Sequence, residues 1–338
     1  MARRGGWSRT GSRGRFRYVD SGGDRITDSD QLERIEALRI PPAWRDVWIS
    51  PRPGAKLQAT GVDSAGRRQY LYHAEFREAQ ERAKYEKLIR FGEGLPDLRG
   101  TMADHLELER LEPDRVSAVA VRLINLGWFR VGSDRAAKHS RTFGITTLRK
   151  RHVSVRGQRI AFSFRGKGRA QVRRTLVDDE LADELRYLLG LNGSTRLFRY
   201  RLDGDLRNLT AERLNDYIGL HLGDDFTAKD FRTWGGTLLA AVALAEHGPG
   251  DTETERKRTI AAVMRAVGEK LGNTPAVCRA SYVSPAVVEQ YLESRTLEDF
   301  RPRQLRVVGA RDIDLDPEEA SLLSLLRSWR IRAARVAA

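Results

Sequence analysis

The chain has 338 residues, of which 40% are hydrophobic and 31% charged, so it can bury a substantial core and form about two domains. Its single cysteine, Cys278, excludes an internal disulfide and a zinc site built on several thiolates, and no apolar run approaches the roughly 20 residues that cross a bilayer. The formal net charge of +14 favours a polyanionic partner, although a genome-wide preference for arginine codons would give the same excess.

The N-terminal part of the chain predicts a basic tail followed by a small domain. Residues 1–16 are mostly Gly, Ser and Arg and predict a flexible tail. Short apolar pieces separated by Gly, Pro and Asp follow and predict a strand-rich domain. Residues 74–90 have the charge spacing of a helix, and Phe-Gly-Glu-Gly-Leu-Pro after them predicts a break. We therefore expect an N-terminal domain at 17–90 and a larger domain at 91–338.

The larger domain is predicted to be mainly helical. Period-two alternation within residues 141–177, starting with Gly-Ile-Thr-Thr-Leu, predicts a small antiparallel sheet with Lys167 at a hairpin tip. The fold class is therefore α+β. Helical spacing of apolar residues predicts helices at 103–111, 113–126, 178–190, 210–221, 234–246, 253–271, 284–294 and 317–335.

Four residues that lie far apart in the sequence offer the groups that a phosphodiester transfer needs. The phenol of Tyr282 could attack phosphorus if nearby positive charge stabilised its anion. The guanidinium groups of Arg130 and Arg232 match phosphate oxygens and stay protonated, and Lys167, between two glycines, could protonate a leaving oxygen. Taken singly, each residue also has an ordinary structural explanation as a core tyrosine, a solvated arginine or a turn lysine.

The local context of these residues resembles a known family. Five spaced motifs occur in one order: Phe129-Arg130-Val131-Gly132, the stretch from Thr142 to Val153, Phe164-Arg165-Gly166-Lys167, the stretch from Lys229 to Gly235, and the nine-residue step from Asn273 to Tyr282. In this order they resemble the small type IB DNA topoisomerases of poxviruses and bacteria, over about residues 30–295.

The resemblance implies a fold and a reaction. The fold is that shared by tyrosine recombinases and type IB topoisomerases. The reaction relaxes supercoiled duplex DNA by cleaving one strand through a 3′-phosphotyrosyl intermediate and resealing it, with no metal, nucleotide or other cofactor. Carried over by position, Tyr282 is the nucleophile, Arg130 and Arg232 stabilise the transition state, and Lys167 is the general acid.

Asn273 departs from the family pattern, which often has histidine at this position. The asparagine amide can donate a hydrogen bond to a phosphate oxygen, but it does not change its charge between about pH 5 and 8. We therefore assign Asn273 a donor role only.

A second resemblance concerns the segment from Arg67 to Tyr72, which is similar to the family segment that enters the DNA major groove. Strand alternation puts Tyr70 and Tyr72 on one face and Gln69 on the other. Glutamine can pair with adenine, and tyrosines can contact thymine methyl groups or phosphates. The alternative is that the two tyrosines belong to a sheet core. The expected DNA contacts are Arg67, Gln69, Tyr70, Tyr72 and Lys229.

The expected partner is double-stranded DNA, held by a monomer whose two domains close as a clamp around the duplex. We expect a cytoplasmic, nucleoid-associated protein, because the N-terminus lacks the apolar core of a secretory signal.

A tyrosine recombinase is the nearest alternative, but it typically has histidine where this chain has Lys229 and begins with a helical domain. A basic DNA-binding protein without catalysis is the third interpretation.

Overall fold

The computed structural model describes residues 5–12, 14–301 and 314–337. Contacts divide the chain into two compact units, Met1–Tyr85 and Glu86–Ala338. The first unit is rich in strands and the second is mainly helical, so the predicted α+β class is confirmed.

The first unit contains a five-stranded antiparallel sheet with strand order β2-β1-β3-β4-β5. A helix that the sequence analysis did not predict, α1, begins after the N-cap Asp28, whose side chain accepts a hydrogen bond from the backbone of Gln31. Ile35 of this helix packs with Ile49 and Ala59 of the sheet in the core of the unit. The elements are β1 Trp7–Thr10, β2 Arg17–Val19, α1 Ser29–Ala37, β3 Arg45–Ile49, β4 Leu57–Val62 and β5 Arg68–Tyr72.

The prediction of a flexible tail over residues 1–16 is wrong for β1. This strand pairs with both β2 and β3, and the side chain of Trp7 is buried in the core. A single tryptophan can anchor a strand whose average composition is polar, because burying one indole removes a large apolar area from water. Residues 1–4 and 13 lie outside the described residues.

The helix that follows the sheet, α2, runs from Ala74 to Leu106, so the predicted break after residue 90 is wrong. The two glycines in the supposed break allow close packing. An added Cβ at Gly92 would come within 2.5 Å of the Trp234 side chain, and one at Gly94 within 2.6 Å of Leu222. The predicted domain boundary between residues 90 and 91 stays a prediction and falls inside this helix.

The second unit consists of helices around a three-stranded antiparallel sheet, β6-β7-β8, and a two-stranded hairpin, β9-β10. Its further helices are α3 Pro113–Gly127, α4 Asp134–His139, α5 Asp179–Gly190, α6 Ala211–Leu222, α7 Ala228–His247, α8 Glu253–Leu271, α9 Pro275–Ser281, α10 Pro285–Leu292 and α11 Pro317–Ala337. Its strands are β6 Val153–Arg156, β7 Arg159–Arg165, β8 Gln171–Val177, β9 Arg199–Leu202 and β10 Asp205–Asn208.

Helix α7 is central, since it packs against α3, α6, α8, α10 and α11. It begins at Ala228 rather than at the predicted residue 234, because Thr227 and Asp230 form a capping box. The last helix, α11, is attached to it through the buried carboxylate of Glu319. That carboxylate pairs with both terminal nitrogens of Arg99, at 2.7 and 2.8 Å, and accepts a hydrogen bond from the indole of Trp234 at 3.1 Å.

The structure corrects two further predictions in the second unit. The separate helix predicted at 103–111 is wrong, because α2 continues to Leu106 and residues 107–112 form turns. The stretch Gly144-Ile-Thr-Thr-Leu148 was predicted to be a strand, but Ile145–Thr147 forms a 3₁₀ turn. Its backbone groups bind a neighbouring loop instead of a strand, as described below.

None of the helices in the described residues is both long enough and apolar enough to cross a membrane.

Candidate active site

The backbone of Arg130 is held by the turn at residues 144–147. The residue after α3, Trp128, has a left-handed conformation with φ of 50°, which ends the helix and starts the loop that contains Arg130. Ile145 N–H donates to the carbonyl of Arg130 at 2.9 Å. An added Cβ at Gly144 would lie 2.4 Å from that same carbonyl, so only glycine allows this approach. The turn therefore fixes the position from which the Arg130 side chain extends.

Arg232 projects from the second turn of α7 and is almost completely buried, with 4% of its surface exposed. Its guanidinium donates to the backbone carbonyl of Trp128 and, at 2.7 Å, to that of Leu271. Its Cζ lies 5.1 Å from the ring centre of Tyr282. Burial and then the charge of Arg130 lower the pKa of Arg232 to about 10, so the group keeps its charge at neutral pH.

Three arginine side chains donate hydrogen bonds to backbone carbonyls at the C-terminal end of α8. Carbonyl groups in the last turn of a helix lack partners within the helix and carry the negative end of its dipole, so they attract cations. Here three consecutive carbonyls are acceptors: Lys270 from Arg174, Leu271 from Arg232 and Gly272 from Arg130, the last at 3.4 Å. The end of α8 therefore serves as a common anchor for side chains from β8, from α7 and from the loop after α3.

Tyr282 lies at the end of α9 and is 7% exposed. Its N–H donates to the carbonyl of Cys278 at 2.9 Å, and its own carbonyl lies 3.2 Å from the hydroxyl of Thr237. A Cβ added at Gly236 would be 2.6 Å from that carbonyl, so this glycine of α7 permits the contact.

The charge around Tyr282 favours its anion. Burial alone raises the pKa of Tyr282, but the charges of Arg232 and Arg130 and their hydrogen bonding outweigh burial, and the pKa lies below its ordinary value of 10. The phenol is thus buried and activated by two cations, which is the arrangement that a tyrosine nucleophile requires.

Asn273 directly follows Gly272, the last of the three carbonyl acceptors, in the sequence. Its backbone N–H donates to the carbonyl of Gly268 at 2.8 Å, and its side-chain Oδ1 accepts from Arg130 at 2.6 Å. Within the part of the chain that the structure describes, the buried Nδ2 has no hydrogen-bond partner. A buried donor without a partner is costly, so this amide is suited to an acceptor that arrives with a ligand.

Lys167 differs from the other candidates because it is exposed. It lies in the turn Lys167–Arg169 between β7 and β8, flanked by Gly166 and by Gly168, which has a φ of +70°. Together with Arg130 and Arg232 it lines a cleft of about 120 Å³. The ring of Tyr282 is not part of that lining, and it packs against the guanidinium of Arg232.

The described residues 5–12, 14–301 and 314–337 contain no group of three or more His, Cys, Asp or Glu side chains that could hold a metal ion. The expectation that the reaction needs no metal stays a prediction.

The residues predicted to contact DNA divide into two groups. Tyr70 and Tyr72 are exposed on one face of β5 with their rings 6.3 Å apart, so the alternative that they form a sheet core is wrong. Gln69 lies on the opposite face and donates to Asp63 at 2.8 Å, and Arg67 pairs with the same carboxylate at 2.7 Å. Hydrogen bonds from Arg67 are the main reason that the pKa of Asp63 falls to about 2.

Lys229, the remaining predicted contact, is exposed in the first turn of α7 in the second unit. It lies one helical turn before the buried Arg232 on the same helix. Its role in binding DNA stays a prediction.

Sequence analysis missed Arg174 and the carbonyl groups at the end of α8. The sequence carries a weak signal for these carbonyls, because Gly272 follows a predicted helix in the position of a C-terminal cap. The carbonyls just before such a cap lack partners within the helix. The sequence does not show which arginines reach them.

Comparisons with known proteins identify the family that this sequence resembles. A sequence profile described as the catalytic core of eukaryotic DNA topoisomerase I matches residues 73–300, and one for the N-terminal domain of bacterial DNA topoisomerase IB matches residues 15–63. The chain is 33% identical to DNA topoisomerase 1B of Acanthamoeba polyphaga mimivirus, over 82% of this chain and 84% of the relative. It is 20% identical to DNA topoisomerase 1B of Vaccinia virus (strain Copenhagen), over 80% of this chain and 85% of the relative.

Proposed function

The chain belongs to the type IB DNA topoisomerases, and from that membership we propose that Tyr282, Arg130, Arg232, Lys167 and Asn273 carry out the family reaction. That reaction relaxes supercoiled duplex DNA by transient cleavage and religation of one strand. The observation that carries the proposal is the convergence of Arg232 and Arg130 on a buried tyrosine whose pKa they lower.

The proposed cleavage step is a displacement at phosphorus. The phenolic oxygen of Tyr282 forms a bond to phosphorus, and the bond from phosphorus to the 5′ oxygen breaks. The phenolic proton passes to solvent water, and the ammonium of Lys167 gives a proton to the departing 5′ oxygen. Religation reverses these steps, with the 5′ hydroxyl as nucleophile and Tyr282 as leaving group.

The two arginines and Asn273 hold the phosphate in this proposal. Guanidinium groups bind non-bridging oxygens in pairs and stabilise the additional charge of the transition state. Arg232 is already fixed by two backbone carbonyls and Arg130 by the side-chain oxygen of Asn273 at 2.6 Å, so little reorganisation is needed when the phosphate arrives. The free Nδ2 of Asn273 supplies one more donor.

The enzyme acts on double-stranded DNA, and we propose that both compact units contact one duplex and that a monomer suffices. The net charge of +14 and the exposed tyrosine pair on β5 support a clamp of this kind. Phosphate contacts from two units predict an affinity that falls steeply between about 50 and 200 mM salt. An affinity independent of salt in that range would argue against the clamp. We also propose that the enzyme acts at the nucleoid in the cytoplasm.

A plasmid relaxation assay tests the proposed nucleophile. Wild-type enzyme should relax a supercoiled plasmid without ATP and in the presence of a chelator, and it should form a covalent adduct with DNA. Tyr282→Phe should do neither while it still binds DNA. Tyr187→Phe is the matched control, since this tyrosine stacks with Arg110 away from the described cleft, and it should keep full activity.

Two outcomes would contradict the proposal. Relaxation by the Tyr282→Phe variant would exclude Tyr282 as nucleophile, and loss of activity in chelator would mean that a metal takes part. Relaxation of a plasmid without recombination sites also separates this enzyme from a tyrosine recombinase, which alone should leave such a plasmid supercoiled.

A further inference from the structure

The general acid of the proposed reaction lies on an exposed turn at the edge of the cleft. Lys167 is exposed at the tip of the β7–β8 hairpin, and glycines flank it on both sides. Proton transfer requires the ammonium to lie about 3 Å from the leaving oxygen. A hairpin tip holds such a distance only if something connects the hairpin to the elements that bind the phosphate.

Arg174 provides this connection. It lies on β8, opposite Phe162 of β7, three residues after the strand begins at Gln171. Its guanidinium donates to the carbonyl of Lys270 at the end of α8, next to the two carbonyls that hold Arg232 and Arg130. At about 3.4 Å per residue along a strand, Arg174 lies roughly 10 Å along β8 from the turn. The hairpin and the phosphate-binding arginines are therefore attached to the same helix end.

The surroundings of Arg174 favour a fixed side chain. Burial lowers the pKa of Arg174, and its charge in turn contributes to lowering the pKa of Arg232. The residue also lines the same cleft as Lys167. Arg174 is half-buried, and it uses a donor on a backbone carbonyl, which an arginine that only attracted DNA from the surface would not do.

We propose that Arg174 is a positioning residue that ties the Lys167 hairpin to the C-terminal end of α8 and so places the general acid at the leaving oxygen. The role depends on the proposed function of Lys167. It differs from that of Arg130 and Arg232, because Arg174 acts on the proton donor and not on the phosphate.

The leaving group supplies a direct test. With an ordinary 5′ oxygen the departing alkoxide is strongly basic and needs a proton, whereas a 5′ bridging sulfur leaves as a thiolate, whose conjugate acid has a pKa of about 8.5 or slightly higher. Single-turnover cleavage of matched duplexes with oxygen or sulfur at the scissile position therefore separates defects in protonation from defects in phosphate binding. Wild type, Arg174→Ala, Arg174→Lys and Lys167→Ala should each be measured on both duplexes.

Arg174→Ala should cleave the oxygen substrate about 10-fold to 100-fold more slowly, the size of effect expected from a small displacement of a catalytic group. On the sulfur substrate it should cleave within about 3-fold of wild type, since no acid is needed there. Arg174→Lys, which keeps one donor for the Lys270 carbonyl, should recover part of the rate on oxygen. A purely structural defect would slow both substrates alike.

The controls distinguish failure of this inference from failure of the proposed function. Arg159→Ala removes one exposed charge from β7 of the same sheet and should leave both rates unchanged. An equal loss in Arg159→Ala, or a loss in Arg174→Ala that persists with sulfur, would overturn the role of Arg174. If Lys167→Ala itself is not restored by sulfur, then Lys167 is not the general acid and the proposed function fails at that residue.

Discussion

The two sides of the cleft are built differently. On one side Arg232 is 4% exposed and is fixed by two backbone carbonyls, and Tyr282, which packs against Arg232 outside the lining, is fixed through its backbone. On the other side Lys167 is exposed on a turn between glycines. Groups that bind the phosphate work best when they are fixed in advance, while the proton donor is carried on a hairpin held by the Arg174 contact and stays accessible for reprotonation. The difference indicates that rigidity is concentrated in the groups that bind the phosphate.

The largest expected changes in cleavage rate come from Arg232→Ala and Lys167→Ala, and the two variants should differ in their effect on the free energy of unfolding. Loss of Arg232 should slow cleavage by about 10²-fold to 10³-fold or more, as for a lost transition-state donor. It should also lower the free energy of unfolding by about 1–3 kcal/mol, because buried carbonyls lose their partner. Lys167→Ala should slow cleavage by about 10²-fold or more with an unchanged unfolding midpoint. Single-turnover cleavage and urea unfolding check both, and equal destabilisation of the two variants would remove the distinction.

A second prediction compares two glycines. Gly236→Ala would place a Cβ 2.6 Å from the carbonyl of Tyr282, so we expect a loss of about 1–3 kcal/mol in stability and cleavage slowed by up to about 10²-fold. Gly190→Ala is the matched control, because a Cβ at the end of α5 meets no atom within 4 Å. It should cleave at the wild-type rate. Thermal unfolding and cleavage rates measure both, and full activity of Gly236→Ala would show that Tyr282 tolerates displacement.

The third prediction concerns ionisation of the nucleophile. The pKa of Tyr282 lies below its ordinary value of 10, so its phenolate should form at lower pH than that of an exposed tyrosine. The ultraviolet difference between wild type and Tyr282→Phe should show one tyrosine that ionises early, and Arg130→Ala should move this midpoint upwards.

The lowered pKa of Tyr282 also determines how the free energy of unfolding should depend on pH. Because folding lowers the pKa of Tyr282, ionisation adds stability as pH rises from the folded pKa towards 10, and this contribution is lost as pH falls through the folded pKa. Tyr282→Phe should abolish that rise relative to wild type. A midpoint at or above that of an exposed tyrosine would contradict the prediction.

The smallest expected effect is at Asn273. Asn273→Ala removes the acceptor for Arg130 and the free Nδ2 donor, so cleavage should slow by roughly 10-fold, in line with the loss of one hydrogen bond to a charged group. Asn273→His should be tolerated, since imidazole can also donate to a phosphate oxygen. Cleavage rates of the two variants check this, and complete loss of activity in the histidine variant would be inconsistent with a donor role.

Much of the site could be predicted because the reacting residues stand in recognisable local sequences. The structure brings Arg130, Arg232 and Asn273 together near Tyr282, and it places Lys167 at the expected hairpin tip. The roles of these residues stay predictions until the variants are measured.

The missed features depend on contacts between distant parts of the chain. The helix α2 passes through a Gly-Pro-containing stretch because its glycines face bulky neighbours, and β1 forms because one tryptophan is buried. The turn after Gly144 binds the carbonyl of Arg130, although its residues alternate with the period of two that is typical of a strand. Backbone acceptors such as the Lys270 carbonyl leave no trace in residue identity, so Arg174 could not be found from sequence alone.

The attachment of α11 through Glu319 has a consequence for the order in which the enzyme becomes complete during synthesis. The buried carboxylate satisfies Arg99 and the indole of Trp234, two residues beyond Arg232. Since α11 follows Tyr282 in the chain, the ribosome makes the nucleophile before it makes Glu319, the carboxylate that binds Arg99 and Trp234. A polypeptide interrupted before Pro317 would possess every reactive group and still leave a buried guanidinium and an indole without their acceptor, which disfavours a prematurely terminated chain as a DNA-nicking species.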